Sequence, residues 1–174
     1  MSPATVFQIH LVLGYLAWLL CFAAYGLPWL KAMDRVKAHR AIAALHGFRF
    51  FGLVFILPGV VGGLPAGFAS FAAYGDFATG LLALAAFATV RLRPLFWLLV
   101  VAFNLVGTAD LLVDYYDAVR LGLPAVAGQL GAAYAIPVLY VPILMITHVT
   151  ALWWLARALP KRAPLMAPTT AGLR

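Results

Sequence analysis

Residues 94–120 read PLFWLLVVAFNLVGTADLLVDYYDAVR, an apolar run that carries Asn104, Asp110, Asp114 and Asp117. At the roughly 100° per residue of an α-helix, the three aspartates fall within roughly 60° of one another, and Gly107 and Asn104 continue the same side. A carboxylate in hydrocarbon is costly unless it meets a partner, water or a proton, so in a membrane-spanning helix this stripe faces protein or a wet cavity.

The rest of the chain has the same character. Of its 174 residues 66% are hydrophobic and 10% charged, Glu is absent, and the mean hydropathy is +1.01. That leaves too little polar surface to cover a soluble globule, and the composition points to a membrane protein. No linker composition divides residues 1–159, which read as a single transmembrane domain. The start, MSPATVFQIH, lacks the basic region and cleavage site of a secretory signal, so the first apolar stretch is expected to be retained as a span. A lone Cys21 leaves no internal disulfide framework and no Cys-x-x-Cys metal or redox site.

Apolar segments long enough to cross a bilayer lie near 6–30, 41–63, 68–90, 95–118 and 134–158. They give an all-α fold, a polytopic transmembrane helix bundle of about five spans, with four or six as the alternatives. Lys31, Arg35, Lys37, Arg40, Arg91, Arg93, Arg157, Lys161, Arg162 and Arg174 fall on one side of that topology, and Arg120 alone on the other. The basic side is the cytoplasmic one, which puts the N-terminus outside and makes residues 160–174 a basic, proline-containing cytoplasmic tail. The localisation this implies is multi-pass, in a bacterial inner membrane. Topology and attraction to anionic lipid account for the net charge of +7 without a nucleic-acid partner. Between spans four and five, Gly122, Pro124, Gly128 and Gly131 break regular helix, so 121–133 reads as re-entrant or interfacial; Pro137 and Pro142 invite kinks beyond it.

Two polar groups can be assembled. Asp76 sits on a small-residue stripe, Ala69, Ala73, Gly80 and Ala83, expected to pack closely on span four. It shares the outer half with Asp110, Asp114 and His10. Deeper toward the cytoplasm lie His46 and Arg49 of span two, Asn104 of span four and His148 of span five, and the two groups could be the ends of one polar path. With Arg49 placed toward the inner surface and Arg120 toward the outer, no fixed cation is expected at the depth of Asp76 and Asp110. Those two are therefore expected to share one site and to hold at least one proton at neutral pH. Arg49 either snorkels to the cytoplasmic headgroups or serves as a buried counter-ion, and Asp117 pairs with Arg120 one turn away at the outer interface.

Three functional classes are compatible with this inventory. Proton- or cation-linked transport of a small solute would use the outer carboxylates, with Asp76, Asp110, Asp114, Asn104 and His10 as the substrate or ion site. A membrane-embedded b-type haem or quinone redox protein would use His46 and His148 as ligands. Counted from the cytoplasmic ends, those two lie at roughly 8 and 16 Å depth, an imperfect match for one haem. The placement of His10 and His46 near the starts of spans one and two resembles that in small membrane cytochromes b, over those positions alone. The third class is a non-catalytic subunit or scaffold, in a homo-oligomer or larger membrane complex. No His or Glu spacing supports a metal site, and no phosphate loop or Ser–His–Asp order supports soluble-type enzyme chemistry.

Overall fold

A computed structural model describes residues 1–157; the tail at 160–174 lies outside them. The fold is all-helical, 87% of it helix, with no strand among the described residues. Helix α1 runs Pro3–Lys31, α2 Arg35–His46, α3 Ala66–Ala88, α4 Arg93–Arg120 and α5 Ile136–Arg157. Helix α2 continues as a 3-10 helix over Gly47–Ile56, and a second 3-10 segment, Leu123–Tyr134, joins α4 to α5. Four helices, Pro3–Lys31, Gly67–Ala88, Arg93–Arg120 and Ile136–Arg157, are long and apolar enough to cross a membrane.

Local chemistry sets the helix starts and bends. Ser2 caps α1 by accepting from the Thr5 N–H at 3.2 Å, with Pro3 in the first turn where no N–H is needed. Asp34 caps α2 by accepting from the Lys37 N–H at 2.9 Å, and that bond lowers its pKa below the ordinary carboxylate value. A π-helical turn interrupts α1 at Phe22–Gly26, just before Pro28, and another opens α5 at Ile136–Tyr140, just before Pro142. In each case the proline has no N–H for the carbonyl four residues back, and its ring pushes that carbonyl aside. In α5 the displaced carbonyl and its neighbour find uses. The Val138 oxygen lies against Gly14 of α1, where a Cβ would collide with it, and the Trp18 Nε1–H donates to the Leu139 oxygen at 2.7 Å.

The bundle has two apolar clusters and a polar layer between them. One cluster holds Phe7, Phe55, Phe68, Ala72, Leu123 and Leu130; the other holds Leu30, Ile42, Ala83, Phe96, Val100 and Phe103. Between them lie Arg49, Asp76, Thr79, Asn104, Asp110, His46, Thr147 and His148, all buried. Outward faces are apolar instead, as with Leu13, Leu16 and Leu20 of α1 and Leu98, Leu105 and Leu112 of α4. A polar interior behind an apolar exterior suits hydrocarbon surroundings.

Charge is divided between the ends. The Arg35 guanidinium donates to the Trp154 oxygen at 3.4 Å and sits 5.5 Å from the Trp97 ring, while Arg40 lies 4.3 Å from the Phe87 ring. These contacts gather the α1–α2 link, the α3–α4 turn and the end of α5 at one basic end. At the opposite end the Gly62 N–H donates to the Gln129 oxygen at 2.7 Å, joining the 57–65 and 123–134 segments.

Two expectations need correction. Span two is not a helix over 41–63: it starts at Arg35, tightens to 3-10 geometry at Gly47 and ends at Ile56, before a loop broken by Pro58, Gly59 (φ +81°), Gly62, Gly63 and Pro65. Helices α3 and α4 pack closely as expected, with Ala83 in the cluster of Phe96, Val100 and Phe103, but the small-residue stripe is not given wholly to α4. A Cβ on Gly80 would come within 2.9 Å of the Phe50 nitrogen, so the stripe at Gly80 receives the 3-10 segment 47–56, and α4 also packs on the neighbouring face through Gly75 and Thr79.

Candidate functional site

Arg49 is the centre of the polar layer. It is fully buried, and its guanidinium reaches three helices. Nε donates to Asp76 Oδ1 at 2.6 Å, Nη2 donates to Asp110 Oδ2, and Nη1 lies 3.3 Å from both the Gly107 oxygen and His148 Nε2. Close backbone approach makes this possible. A Cβ on Gly52 would strike the Asp76 carboxylate, one on Gly75 would strike Asp110, and one on Gly107 would lie 2.5 Å from His148 Nε2 and 2.6 Å from Arg49 Nη1.

Hydrogen bonds fix the two imidazoles around this centre. Asn104 Nδ2 donates to the Val100 oxygen at 2.8 Å, which turns its Oδ1 toward His148 Nδ1 at 2.9 Å. His148 therefore carries its proton on Nδ1 and offers the Nε2 lone pair to Arg49. Thr147 Oγ1 donates to the Ile143 oxygen at 2.8 Å, so it accepts from His46 Nε2 at 3.0 Å. The His46 and His148 rings pack with centroids 3.9 Å apart at 42°.

Two cavities approach this layer from different sides. One of about 280 Å³ has apolar walls that include Phe7, Phe55, Phe68 and Tyr115, with Asp76 and Asp114 among its lining. Among the described residues, Asp114 Oδ1 has no hydrogen-bond partner. The other, of about 310 Å³, lies among α1, α2 and α5, lined by Trp18, Trp29, Ile42, Leu45 and Thr147.

The sequence reading is corrected at several points. A fixed cation does stand between Asp76 and Asp110, and it is Arg49, which does not snorkel. Counted from residue 41, Arg49 lies ~12 Å into its span; counted from the true start at Arg35 it lies ~21 Å in, level with the carboxylates. The outer and inner polar groups are thus one network, joining Asp76 and Asp110 to Arg49, His148 and Asn104, with His46 stacked on His148. His10 is not part of it: it is exposed and bonds the Tyr134 hydroxyl at 2.9 Å. Asp117 pairs with Arg120 at 2.9 Å on the surface. The 3.9 Å ring separation leaves no room for a porphyrin between His46 and His148, and the nitrogens nearest the network already serve Thr147, Asn104 and Arg49. The residues do not fit a bis-histidine haem. Among the described residues no group of three or more His, Cys, Asp or Glu is placed to hold a metal.

Thr147, Thr79 and Gly107 enter the layer without having been read as site residues, and His39 lies buried between Trp97 and Trp154, with neither nitrogen bonded among the described residues. A threonine or glycine in an apolar helix carries no signal of its own. The nearest one was the Asn104–Gly107 spacing on the face of Asp110.

Fold and site together define an all-helical bundle with four helices suited to crossing a membrane and a buried arginine–bis-aspartate centre. The family described as Domain of unknown function (DUF8737) matches residues 6–156, and the chain belongs to it. No curated protein and no solved structure matches the chain.

Proposed function

We propose that the protein is a proton-linked permease for a small solute, a single transmembrane domain of five spans in a bacterial inner membrane, N-terminus outside and C-terminus cytoplasmic. The fifth crossing would be Arg35–Ile56. Its 12 α-helical and 10 3-10 residues extend ~18 and ~20 Å, enough for the hydrocarbon layer. The basic end favours the cytoplasmic side by the excess of Lys and Arg there.

The observation that carries this reading is that two cavities reach the two ends of one buried polar chain. Asp76 lines the first and Thr147 the second; Arg49, His148 and His46 lie between them. One guanidinium faces two carboxylates, so the centre has one negative charge in excess, which a proton or a cation balances. A proton on Asp110 removes one of the two ionic anchors of Arg49. Arg49 sits on a 3-10 segment, whose poorer hydrogen-bond geometry makes it easier to displace than α-helix. Release of that anchor would let segment 47–56 move against α3, coupling protonation to access between the cavities. Apolar walls suit a solute of mainly apolar surface.

Proteoliposomes with an imposed pH gradient test this. Asp110→Asn should fold and insert, since it mimics the neutral acid and leaves Arg49 balanced one to one, yet abolish proton-linked flux. Flux from wild type no greater than from empty vesicles across a panel of apolar solutes would remove the permease reading. A second reading is favoured by the complete burial of Arg49: a scaffold in which the ion cluster is a structural clamp. It takes first place if Asp110→Asn and wild type are equally silent.

A further inference from the structure

A third cavity, of about 340 Å³, opens at the basic end and is unrelated to the carboxylate centre. Its wall holds Lys31 from the end of α1, Arg35 from the start of α2 and Arg157 from the end of α5, with Leu30, Met33 and Trp154 between them. The bend at the Phe22–Gly26 π-helical turn precedes the last turn of α1, which carries Lys31. Arg35 is held by the Trp154 oxygen at 3.4 Å and by the Trp97 ring, and Arg157 lies 3.6 Å from the centre of the Trp153 ring. Among the described residues, none of the three cations pairs with a carboxylate: Asp34, the nearest in sequence, is taken by Lys37 at 3.2 Å.

Three like charges brought to one concave site repel one another, and an anion in the cavity removes that cost. Two guanidinium forks and an ammonium match the several oxygens of a phosphate better than the two of a carboxylate. Leu30, Met33 and Trp154 add apolar wall for whatever carries the phosphate.

We propose that the cavity among Lys31, Arg35 and Arg157 is a binding site for a phosphate group, borne by an anionic phospholipid headgroup or free in solution. Native mass spectrometry of the full chain from mixed micelles separates the sources, using phosphatidylglycerol and phosphatidylcholine with the same acyl chains. Phosphorus NMR line broadening with inorganic phosphate forms the other arm. If the source is lipid, a phosphatidylglycerol adduct survives activation that strips phosphatidylcholine, and Lys31→Gln or Arg157→Gln weakens it about tenfold. If the source is free phosphate, the inorganic phosphate line broadens with wild type and not with Arg157→Gln, without lipid preference. Arg35 also supports Trp154, so the test rests on Lys31 and Arg157. The control is Arg91→Gln with Arg93→Gln, at the same end but outside the cavity lining. Should that pair weaken binding as much as the cavity variants, or should neither ligand bind, the site is wrong and only diffuse charge remains.

Discussion

Helix α4 carries two aspartate–arginine contacts seven residues apart on one face, and they have little in common. Asp117 meets Arg120 at the helix end, where the arginine side chain is 55% exposed. Asp110 meets Arg49 with both side chains at or below 4% exposure. The exposed pair is screened by solvent and held by flexible chains, so it contributes little. The buried one has lost the hydration of both ions, and its members depend on one another to offset that loss. Residue type is the same in both places. What differs is depth and the number of helices that converge.

The largest way to break this contrast is Arg49→Met. Two buried carboxylates would lose their cation, and destabilisation of about 3–5 kcal/mol is expected, read as lost monodisperse yield or a large fall in thermal midpoint in detergent. Adding Asp76→Asn and Asp110→Asn to that variant should recover much of the loss, because the two carboxylates that Arg49 balanced are then neutral; no recovery would mean that the cluster is not the source of the penalty. Next in size is Gly107→Val. Its side chain would press on His148 and Arg49, at a cost of about 1–3 kcal/mol. A midpoint unchanged from wild type would show that the layer is looser than the close approach of these helices requires. Asp117→Asn should change stability by less than ~1 kcal/mol, and a larger effect would erase the difference between the two pairs.

The smallest effect concerns Asp34, outside the bundle interior. Its pKa is lowered in the folded chain, chiefly by the Lys37 N–H. The cap therefore stabilises α2 above the ordinary carboxylate pKa of about 4 and loses that contribution as pH falls through the folded value. Amide exchange at Lys37 should quicken over that acid range in wild type. Asp34→Asn, which accepts without a charge, should show no such step beyond the intrinsic pH dependence.

Much of the class was legible from residues 94–120 and from the distribution of Lys and Arg, because hydropathy and charge asymmetry are local properties. The alignment of Asp110 and Gly107 on one face of α4 followed from helical period alone, as did the Asp117–Arg120 contact. Arg49 was not placed correctly, because its depth depends on where α2 begins. Hydropathy starts that span at 41, whereas the capped helix starts at Arg35 among cations that hydropathy rejects. The neighbours of the α3 stripe were hidden for another reason. Ala69, Ala73, Gly80 and Ala83 permit close approach by any helix, and which one arrives is decided by the order of elements around the bundle.

The position of Arg49 along the chain has a bearing on how such a bundle is made. During synthesis from the N-terminus, Arg49 emerges 27 residues before Asp76 and 61 before Asp110. Among the described residues, the segment that bears it is not one of the four helices long and apolar enough to cross a membrane. If 35–56 crosses the bilayer as proposed, Arg49 has no counter-ion to bury against until α3 and α4 have been made. Docking order would then differ from birth order: 35–56 is made second but can settle only after α4, and an interruption of synthesis between residues 76 and 110 would strand half a binding partner for the guanidinium.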